Sequence, residues 1–321
     1  MSQVDVLGLG EAMALFEVDE GGIGPGGSCR LRLAGAELNL LIGVARQGHR
    51  AGFATAVGAD PFGDLARRTL QEQGIATHAV DVDPTRRTGM FVKEVTRDER
   101  RRVHYYRDGS AASAYAVAPA LLLDRLAPRV VVLSGLTLGL GLPDGIGATA
   151  VALLREAAAR GVTTVFDANL RPGIWDGDVA VAGFAELLEC LDVVLAGREE
   201  MAELVAGTDP VAAAVELCAS GVRGVVIKDG ARGAIAVEGG EVVEVPALPV
   251  EHVVDPVGAG DAFAAGVVSG VLRGEELATA ARLGAVLGAE VVRHRGDWEG
   301  LPDRDRAREL LRQLPARAGA S

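Results

Sequence analysis

The stretch Asp255–Asp261 reads D-P-V-G-A-G-D and leads directly into an apolar segment with helical periodicity. Gly258, Ala259 and Gly260 leave almost no side chain at the mouth of that predicted helix. Bare backbone N–H groups can therefore converge on an anion there, and the positive end of the helix dipole favours negative charge. We expect the Asp261 carboxylate to stay ionised in this positive cup. If a phosphoryl group docks there, Asp261 can take the proton of an acceptor hydroxyl, as a general base beside an anion hole.

The same residues also suit a simpler interpretation. Gly and Asp are common turn and helix-cap residues, so G-A-G-D alone predicts only a turn with an acidic N-cap. The flanking Asp255 and the small residues of the following helix favour the functional interpretation. The extended stretch D-P-V-G-A-G-D-A-F resembles the C-terminal signature of the ribokinase-like, or PfkB, carbohydrate kinases, which usually reads D-T-x-G-A-G-D. Pro256 replaces the usual Thr, so any role of that hydroxyl is absent.

The composition indicates a large α/β protein and argues against some partners. A chain of 321 residues with 49% hydrophobic residues can form one large domain or two smaller ones around a sizeable core. Its net charge of −12 argues against nucleic acids and anionic membranes as partners. The three cysteines are widely spaced, which suits a reducing compartment rather than a disulfide framework, and they lack the spacing of a zinc site.

Three patterns that would change this interpretation are missing from the sequence. There is neither the basic, then apolar, pattern of a signal peptide nor an uncharged apolar run of roughly 18 residues, so we expect a cytoplasmic protein. Gly8-Leu9-Gly10 could begin a dinucleotide fingerprint, but Met13 stands where the third glycine belongs. A Rossmann interpretation is therefore disfavoured.

Strand-like and helix-like segments alternate along most of the chain, which predicts a mostly parallel sheet with helices on both faces. The resemblance implies a ribokinase-like three-layer α/β/α sandwich with a small β-sheet lid, in a single domain that spans the whole chain. We expect the lid in two inserted segments, at about 10–35 and 78–112. Within the second segment, exposed strands are predicted at 78–82, 88–96 and 101–107. A lid over the sugar would exclude water, which competes as a phosphoryl acceptor.

Gly35 and Asn39 lie at the start of a predicted helix. Gly35 permits close approach of a ligand to the backbone, and Asn39, one turn on, could face that ligand. A turn glycine and a solvated Asn would explain the two residues equally well. The segment resembles the family's G-G-x-x-N-x-A element, whose Gly and Asn hold sugar hydroxyls, although Ala34 replaces its first Gly.

Tyr105 and Arg107 share one face of a predicted strand. An aromatic ring packs on sugar carbons, and a guanidinium can grip a carboxylate with two hydrogen bonds, so the pair suits an acid sugar. An ordinary exposed lid strand is the alternative. The stretch Y-Y-R-x-G-S-A-x-S is similar to the 2-keto-3-deoxygluconate kinase branch of the family, where it supplies substrate contacts.

Asn169 and Arg171 follow a predicted strand, at the end where open α/β sheets bind ligands. Their pattern D-x-N-x-R-x-x-x-W resembles the family, which marks Asn169 as a substrate contact and Arg171 as a second candidate ligand for carboxylate or phosphate. A salt bridge within a loop is the alternative for Arg171. R-G-D-W-E-G, at 295–300, is similar to the same kinase branch, whose Asp contacts the sugar, and this role carries to Asp297.

A K-x-G-x-x-G hairpin looks like the nucleotide shelf of the family. It implies nucleotide contacts from Lys228, Gly230 and Gly233, beside those of Gly258 and Gly260. From the sequence alone, Lys228 points either to phosphate or to solvent. No P-loop pattern G-x-x-x-x-G-K-[ST] occurs anywhere in the chain.

Glu200 is the candidate for indirect metal contact. Family members often show N-x-x-E at this place, where the Glu acts through water on magnesium and phosphate. Glu200 matches, but Gly197 replaces the Asn. An acidic residue at a helix start is also simply favourable for the helix dipole.

The resemblance covers nearly the whole chain and implies an ATP-dependent kinase of 2-keto-3-deoxygluconate that gives the 6-phosphate. Mg²⁺ would arrive with the nucleotide, a monovalent cation is a further candidate cofactor, and lid sheets would meet in a homo-oligomer. A kinase of fructose, ribose or 2-keto-3-deoxygalactonate is the alternative. A non-catalytic sugar-binding regulator would need a damaged base or anion hole, whereas Asp261 and both glycines are intact.

Overall fold

Thirteen strands form within the residues that the computed structural model describes, which are 3–18, 22–95, 101–141, 145–205 and 207–314. Runs of Val, Leu and Ile make the central strands, because such side chains pack well on both faces of a buried sheet. The strands are β1 (Val6–Leu9), β2 (Met13–Val18), β3 (Cys29–Ala34), β4 (Ala51–Gly58), β5 (Ala76–Asp83), β6 (Met90–Val95), β7 (Arg101–Tyr106), β8 (Val130–Ser134), β9 (Thr163–Asp167), β10 (Val193–Gly197), β11 (Gly224–Lys228), β12 (Ala234–Glu238) and β13 (Glu241–Val245).

The helices alternate with these strands as the sequence predicts. They are α1 (Ala36–Arg46), α2 (Pro61–Glu72), α3 (Pro119–Leu126), α4 (Gly135–Leu138), α5 (Ile146–Ala159), α6 (Gly177–Leu187), α7 (Arg198–Leu204), α8 (Pro210–Ala219), α9 (Ala259–Arg273), α10 (Leu277–Val291) and α11 (Arg304–Leu311). In the part of the chain that is described, none of them combines the length and the apolar character needed to cross a bilayer.

Nine strands form the central sheet, in the order β13-β12-β11-β10-β9-β8-β1-β4-β5. All neighbours in it are parallel except β11–β12 and β12–β13 at one edge. Alternate residues of each inner strand enter opposite cores: Val130 and Val132 pack with α1, α2 and α9–α11, whereas Val131 packs with α3 and α5–α8. The predicted three-layer α/β/α sandwich is therefore confirmed.

A separate sheet of four strands has the order β3-β2-β6-β7, and it corresponds to the predicted lid. The strand predicted at 78–82 is not part of it. That strand is β5, which pairs in parallel with β4 at the edge of the central sheet, so its assignment to the lid was wrong. Its half-exposed residues reflect an edge position rather than a lid.

Trp175 anchors the loop that follows β9. It is only 2% exposed, its ring lies edge-on to that of Phe166, and its backbone pairs with that of Arg171. The loop between these two contacts carries the predicted ligands Asn169 and Arg171. Core packing of one aromatic side chain therefore holds a segment at the carboxyl edge of the sheet.

Replacing Trp175 with Ala should reduce the free energy of unfolding by about 3–5 kcal/mol, because it leaves a large cavity in the core. Urea denaturation measures the loss. Val179→Ala is the control, since Val179 is 63% exposed and its truncation should change stability by less than about 0.5 kcal/mol. Equal stability of the two variants would contradict the anchoring role.

Candidate active site

The mouth of α9 has the side-chain-poor geometry that the sequence predicts. Gly258 is the N-cap residue and has φ 83°, a left-handed conformation that favours glycine. A side chain there would also collide with the backbone carbonyl of Asp297. Gly260 is exposed, and a Cβ placed on it would lie 3.8 Å from Nζ of Lys228. The helix start thus lies beside an ammonium group, and its exposed glycine leaves the backbone there uncovered by a side chain.

Asp261 lies in the first turn of α9, and one hydrogen bond orients its carboxylate. Nδ2 of Asn39 donates to Oδ2 of Asp261 over 2.8 Å. Asn39 is itself buried, and its Oδ1 accepts from the backbone N–H of Gly35 over 3.4 Å. A side chain at Gly35 would collide with the carbonyl of Glu11. The structure therefore brings the predicted base and both residues of the predicted sugar contact into one chain of hydrogen bonds.

Burial raises the pKa of Asp261 to about 7, although the bond from Asn39 and the charge of Arg171 lower it. The carboxylates of Asp167 and Asp297 raise the pKa further. We expected Asp261 to stay ionised, but a carboxyl group with a pKa of about 7 is only partly ionised near neutral pH. The loss of hydration outweighs the helix dipole, which acts as about half a unit charge.

Lys228 ends β11, and its ammonium lies 2.6 Å from Oδ1 of Asp167, which ends β9. Only β10 separates the two strands, so both side chains emerge at the same carboxyl edge of the sheet. Burial alone would lower the pKa of Lys228, but Asp167, Glu200 and Asp261 raise it, and the group stays a cation. The side chain of Lys228 thus points into the site and not to solvent.

Glu200 sits in the first turn of α7, and both of its oxygens contact backbone. They accept from the N–H groups of Leu170 over 3.0 Å and of Gly197 over 2.5 Å. The carboxylate therefore fastens the loop after β9 to the last residue of β10. Across the described ranges, no group of three or more His, Cys, Asp or Glu side chains could hold a metal ion.

Arg107 and Tyr105 come together as the strand pattern predicts, with the guanidinium carbon 5.4 Å from the ring centre. The partner of Arg107 could not be predicted from the sequence. Its Nε donates to Oε2 of Glu11 over 2.7 Å, and both side chains are buried. Nη1 of Arg107 and Oε1 of Glu11 have no hydrogen-bond partner within the described chain. The ion pair therefore keeps one unused donor and one unused acceptor.

Asn169 and Arg171 lie on the loop after β9, and Arg171 is near enough to Asp261 for its charge to act on that carboxylate. Asn169 is buried and has φ 40°, a left-handed conformation that Asn tolerates better than most residues. Arg171 donates from Nη1 to the carbonyl of Leu170 over 2.8 Å, and its charge lowers the pKa of Asp261. Both predicted ligands therefore share the carboxyl edge of the sheet with Asp261.

The predicted nucleotide shelf is the turn between β11 and β12. Gly230 is exposed there with φ 56°, whereas Gly233 is buried, and a side chain on it would collide with the carbonyl of Val245. Of the three residues in this motif, Lys228 is the one whose side chain extends to the start of α9. The two glycines shape the turn beside it.

A buried triad in the site was missed by sequence reasoning. Nζ of Lys93, on lid strand β6, lies 2.9 Å from Oδ1 of Asp297 and also forms an ion pair with Asp255. All three side chains are about 95% buried. One signal was available: Lys93 and Lys228 are the two lysines of a chain whose other cationic side chains are Arg or His, and both lie here. Asp297 is thus placed in the site, with one oxygen already paired.

Comparison with known proteins identifies the family of the chain. Residues 1–304 match the model of the family described as pfkB family carbohydrate kinase. The chain is 32% identical over 320 residues to the 2-dehydro-3-deoxygluconokinase of Bacillus subtilis, covering 96% of each protein. It is 33% identical to the enzyme of the same name from Thermoproteus tenax, covering 88% of this chain and 86% of the relative.

Solved structures share the fold. The PfkB protein of Polaromonas sp. JS666 has a TM-score of 0.82 and 32% identity, covering 95% of this chain and 99% of that protein. A putative ribokinase II of E. coli, solved in complex with ATP and Mg²⁺, has a TM-score of 0.84 at 23% identity, covering 98% and 100%. With a family match over nearly its whole length and a sheet-edge site to accompany it, the chain belongs to the pfkB family of carbohydrate kinases.

Proposed function

We propose that this protein is an ATP-dependent kinase of 2-keto-3-deoxygluconate and that it phosphorylates the terminal hydroxyl to give the 6-phosphate. The observation that carries the proposal is the position of Asp261, oriented by Asn39 at the glycine-lined start of α9. The substrate class comes from the relatives that bear the name 2-dehydro-3-deoxygluconokinase.

Asp261 acts as the general base in this proposal. The terminal hydroxyl oxygen of the sugar forms a bond to the γ-phosphorus of ATP, while the bond from that phosphorus to the β,γ-bridging oxygen breaks. The hydroxyl proton passes to Asp261, and ADP leaves. A base with a pKa of about 7 suits this role near neutral pH, because it is both sufficiently ionised and sufficiently basic.

The transferring phosphoryl group is proposed to dock on the backbone N–H groups at Gly258, Ala259 and Gly260. Such donors are fixed in place before the reaction, so they stabilise developing charge without reorganisation. Lys228 faces Gly260 across the helix mouth and adds positive charge on the side of the nucleotide. Gly230 and Gly233 would support the nucleotide from the adjacent turn.

We place the carboxylate of the acid sugar against Arg107, whose Nη1 has no other partner among the described residues. Glu11 holds the guanidinium in a fixed plane, and the ring of Tyr105 lies beside it for contact with the sugar carbons. Gly35, Asn39 and Asn169 are the proposed contacts for sugar hydroxyls, and Arg171 and the buried Asp297 are further proposed contacts of the substrate.

Magnesium is proposed to enter with ATP and to neutralise charge on the phosphates. Glu200 would reach it only through water, since its oxygens already accept two backbone N–H groups. A carboxylate has further lone pairs, so water can still bind there. A monovalent cation remains a proposal, as does a homo-oligomer through the lid, where Leu31 and Tyr106 are 49% and 59% exposed.

Kinases of other sugars are the alternative. A neutral sugar such as fructose or ribose would leave Arg107 without an anionic partner, whereas 2-keto-3-deoxygalactonate would not. The geometry of Arg107 therefore favours acid sugars over neutral ones but gives no preference between the two epimers.

Asp261→Asn should lower kcat by roughly 10²–10⁴-fold, the usual contribution of a general base. Binding of ATP, measured by calorimetry, should persist. Asp305→Asn is the control, because that carboxylate is 92% exposed on α11. Near wild-type turnover of Asp261→Asn would refute the proposed base.

The pH dependence of kcat/KM should show an acid limb near pH 7, because Asp261 with a pKa of about 7 is protonated and inactive below it. Asn39→Ala removes a donor that stabilises the ionised carboxylate, so the limb should move to higher pH. Asp305→Asn should leave the limb in place. A rise in KM for Asn39→Ala with an unmoved limb would contradict this assignment.

An ADP-release assay over 2-keto-3-deoxygluconate, 2-keto-3-deoxygalactonate, fructose and ribose tests the substrate class. We expect kcat/KM to be highest for the acid sugars. Arg107→Leu should raise KM for the acid sugar by about 10–100-fold, since a charge-assisted contact contributes about 1.5–3 kcal/mol, and should change KM for ATP little. Arg86→Leu, at an exposed ion pair, is the control. Equal effects on both substrates would reject the carboxylate contact.

A further inference from the structure

Lys93 links the lid to both segments that frame the start of α9. It lies on β6 of the lid and is 4% exposed. Its ammonium pairs with Asp255, the first residue of the D-P-V-G-A-G-D stretch, and with Asp297 over 2.9 Å. The backbone carbonyl of Asp297 in turn packs against Gly258, at the N-cap of α9. One side chain of the lid therefore fixes two supports of the proposed anion hole.

Without the ammonium, the two buried carboxylates could not both stay charged side by side. They are both about 95% buried, and each raises the energy of the other's charged form. Removing a buried cation leaves such charges uncompensated, which strongly disfavours their arrangement. Asp255 and Asp297 would then separate or take up a proton, and the loop at Gly258 would move with them.

Further contacts join the lid to the same C-terminal segment. Arg32, on β3, pairs with Glu299 over 2.7 Å, and Nε1 of Trp298 donates to the carbonyl of Leu33 over 2.7 Å. These two contacts lie at the rim, where their side chains are partly exposed. Among these links, Lys93 is the buried one that also reaches Asp255.

We propose that Lys93 is a positioning residue, which couples the position of the lid to the anion hole by holding Asp255 and Asp297 beside Gly258. The proposal deepens the proposed function and rests on it, because it assumes that residues 258–261 perform the phosphoryl transfer. When the lid strand is in place, the ammonium completes the support of the helix mouth. The positive charge of Lys93, which the lid supplies, thus offsets the repulsion between the carboxylates of Asp255 and Asp297.

The test compares Lys93→Ala, Lys93→Arg and Asp261→Asn in the full chain. Lys93→Ala should lower kcat by about 10²-fold, the cost of a small misplacement of catalytic groups, with a much smaller change in KM for ATP and sugar. Methylammonium at increasing concentration should restore turnover in a saturable way, because it can occupy the space between the carboxylates. Tetramethylammonium, which donates no hydrogen bond, should not restore it.

Lys93→Arg keeps the charge and should recover most of the lost turnover, and it preserves the test if the Ala variant fails to fold. A folded Lys93→Ala variant with wild-type kcat would overturn the proposal, as would a rise in KM for the sugar alone, which would make Lys93 a ligand. Equal loss in folded Lys93→Arg and Lys93→Ala would also overturn it. The Asp261→Asn variant separates failure of the proposed function from failure of the coupling. If Asp261→Asn retains turnover, the proposed function fails. If Asp261→Asn is inactive while Lys93→Ala keeps wild-type kcat, the coupling by Lys93 fails.

Discussion

Three cations of the site are each paired with at least one carboxylate. The side chains of Lys93 and Arg107 are buried, and that of Lys228 is 16% exposed. A buried charge without a partner costs several kcal/mol, so none of these groups can be placed there alone. The pairs instead constrain one another across elements that are distant in the chain. Asp167 holds Lys228, Glu11 holds Arg107, and the two acids beside Gly258 hold the ammonium from the lid. The site is therefore organised by mutual neutralisation before any ligand enters.

The fold makes this pairing possible by close packing of α9. A side chain on Gly266 would collide with the backbone at Gly284 of α10, and one on Gly43 of α1 would approach Ala265 closely. Small residues therefore let α9 lie tightly between its two neighbours. This explains the Ala- and Gly-rich composition of α9, and it brings Asn39 within hydrogen-bond distance of the carboxylate in the first turn of α9.

The raised pKa of Asp261 shows how burial changes a local argument. The helix dipole and the bare N–H groups favour an anion, and that reasoning from sequence is correct as far as it goes. The carboxylate is also surrounded by protein and near the charges of Asp167 and Asp297, and these effects raise its pKa. The start of a helix stabilises negative charge. A phosphate that approaches it and a nearby buried carboxylate would both draw on the same N–H groups and the same dipole.

The sequence by itself determined the layered α/β architecture, the helix that starts at the glycine-rich stretch and most of the candidate site residues. These follow from periodicity and from local motifs, whose geometry depends on neighbouring residues. Only the tertiary structure decided the partners. Asn39 and Asp261 are 222 positions apart, and Lys93 and Asp297 are 204 apart. No local pattern encodes such pairs, because the partners come together only when the chain folds. A buried polar or charged group is then stable only when it has a partner.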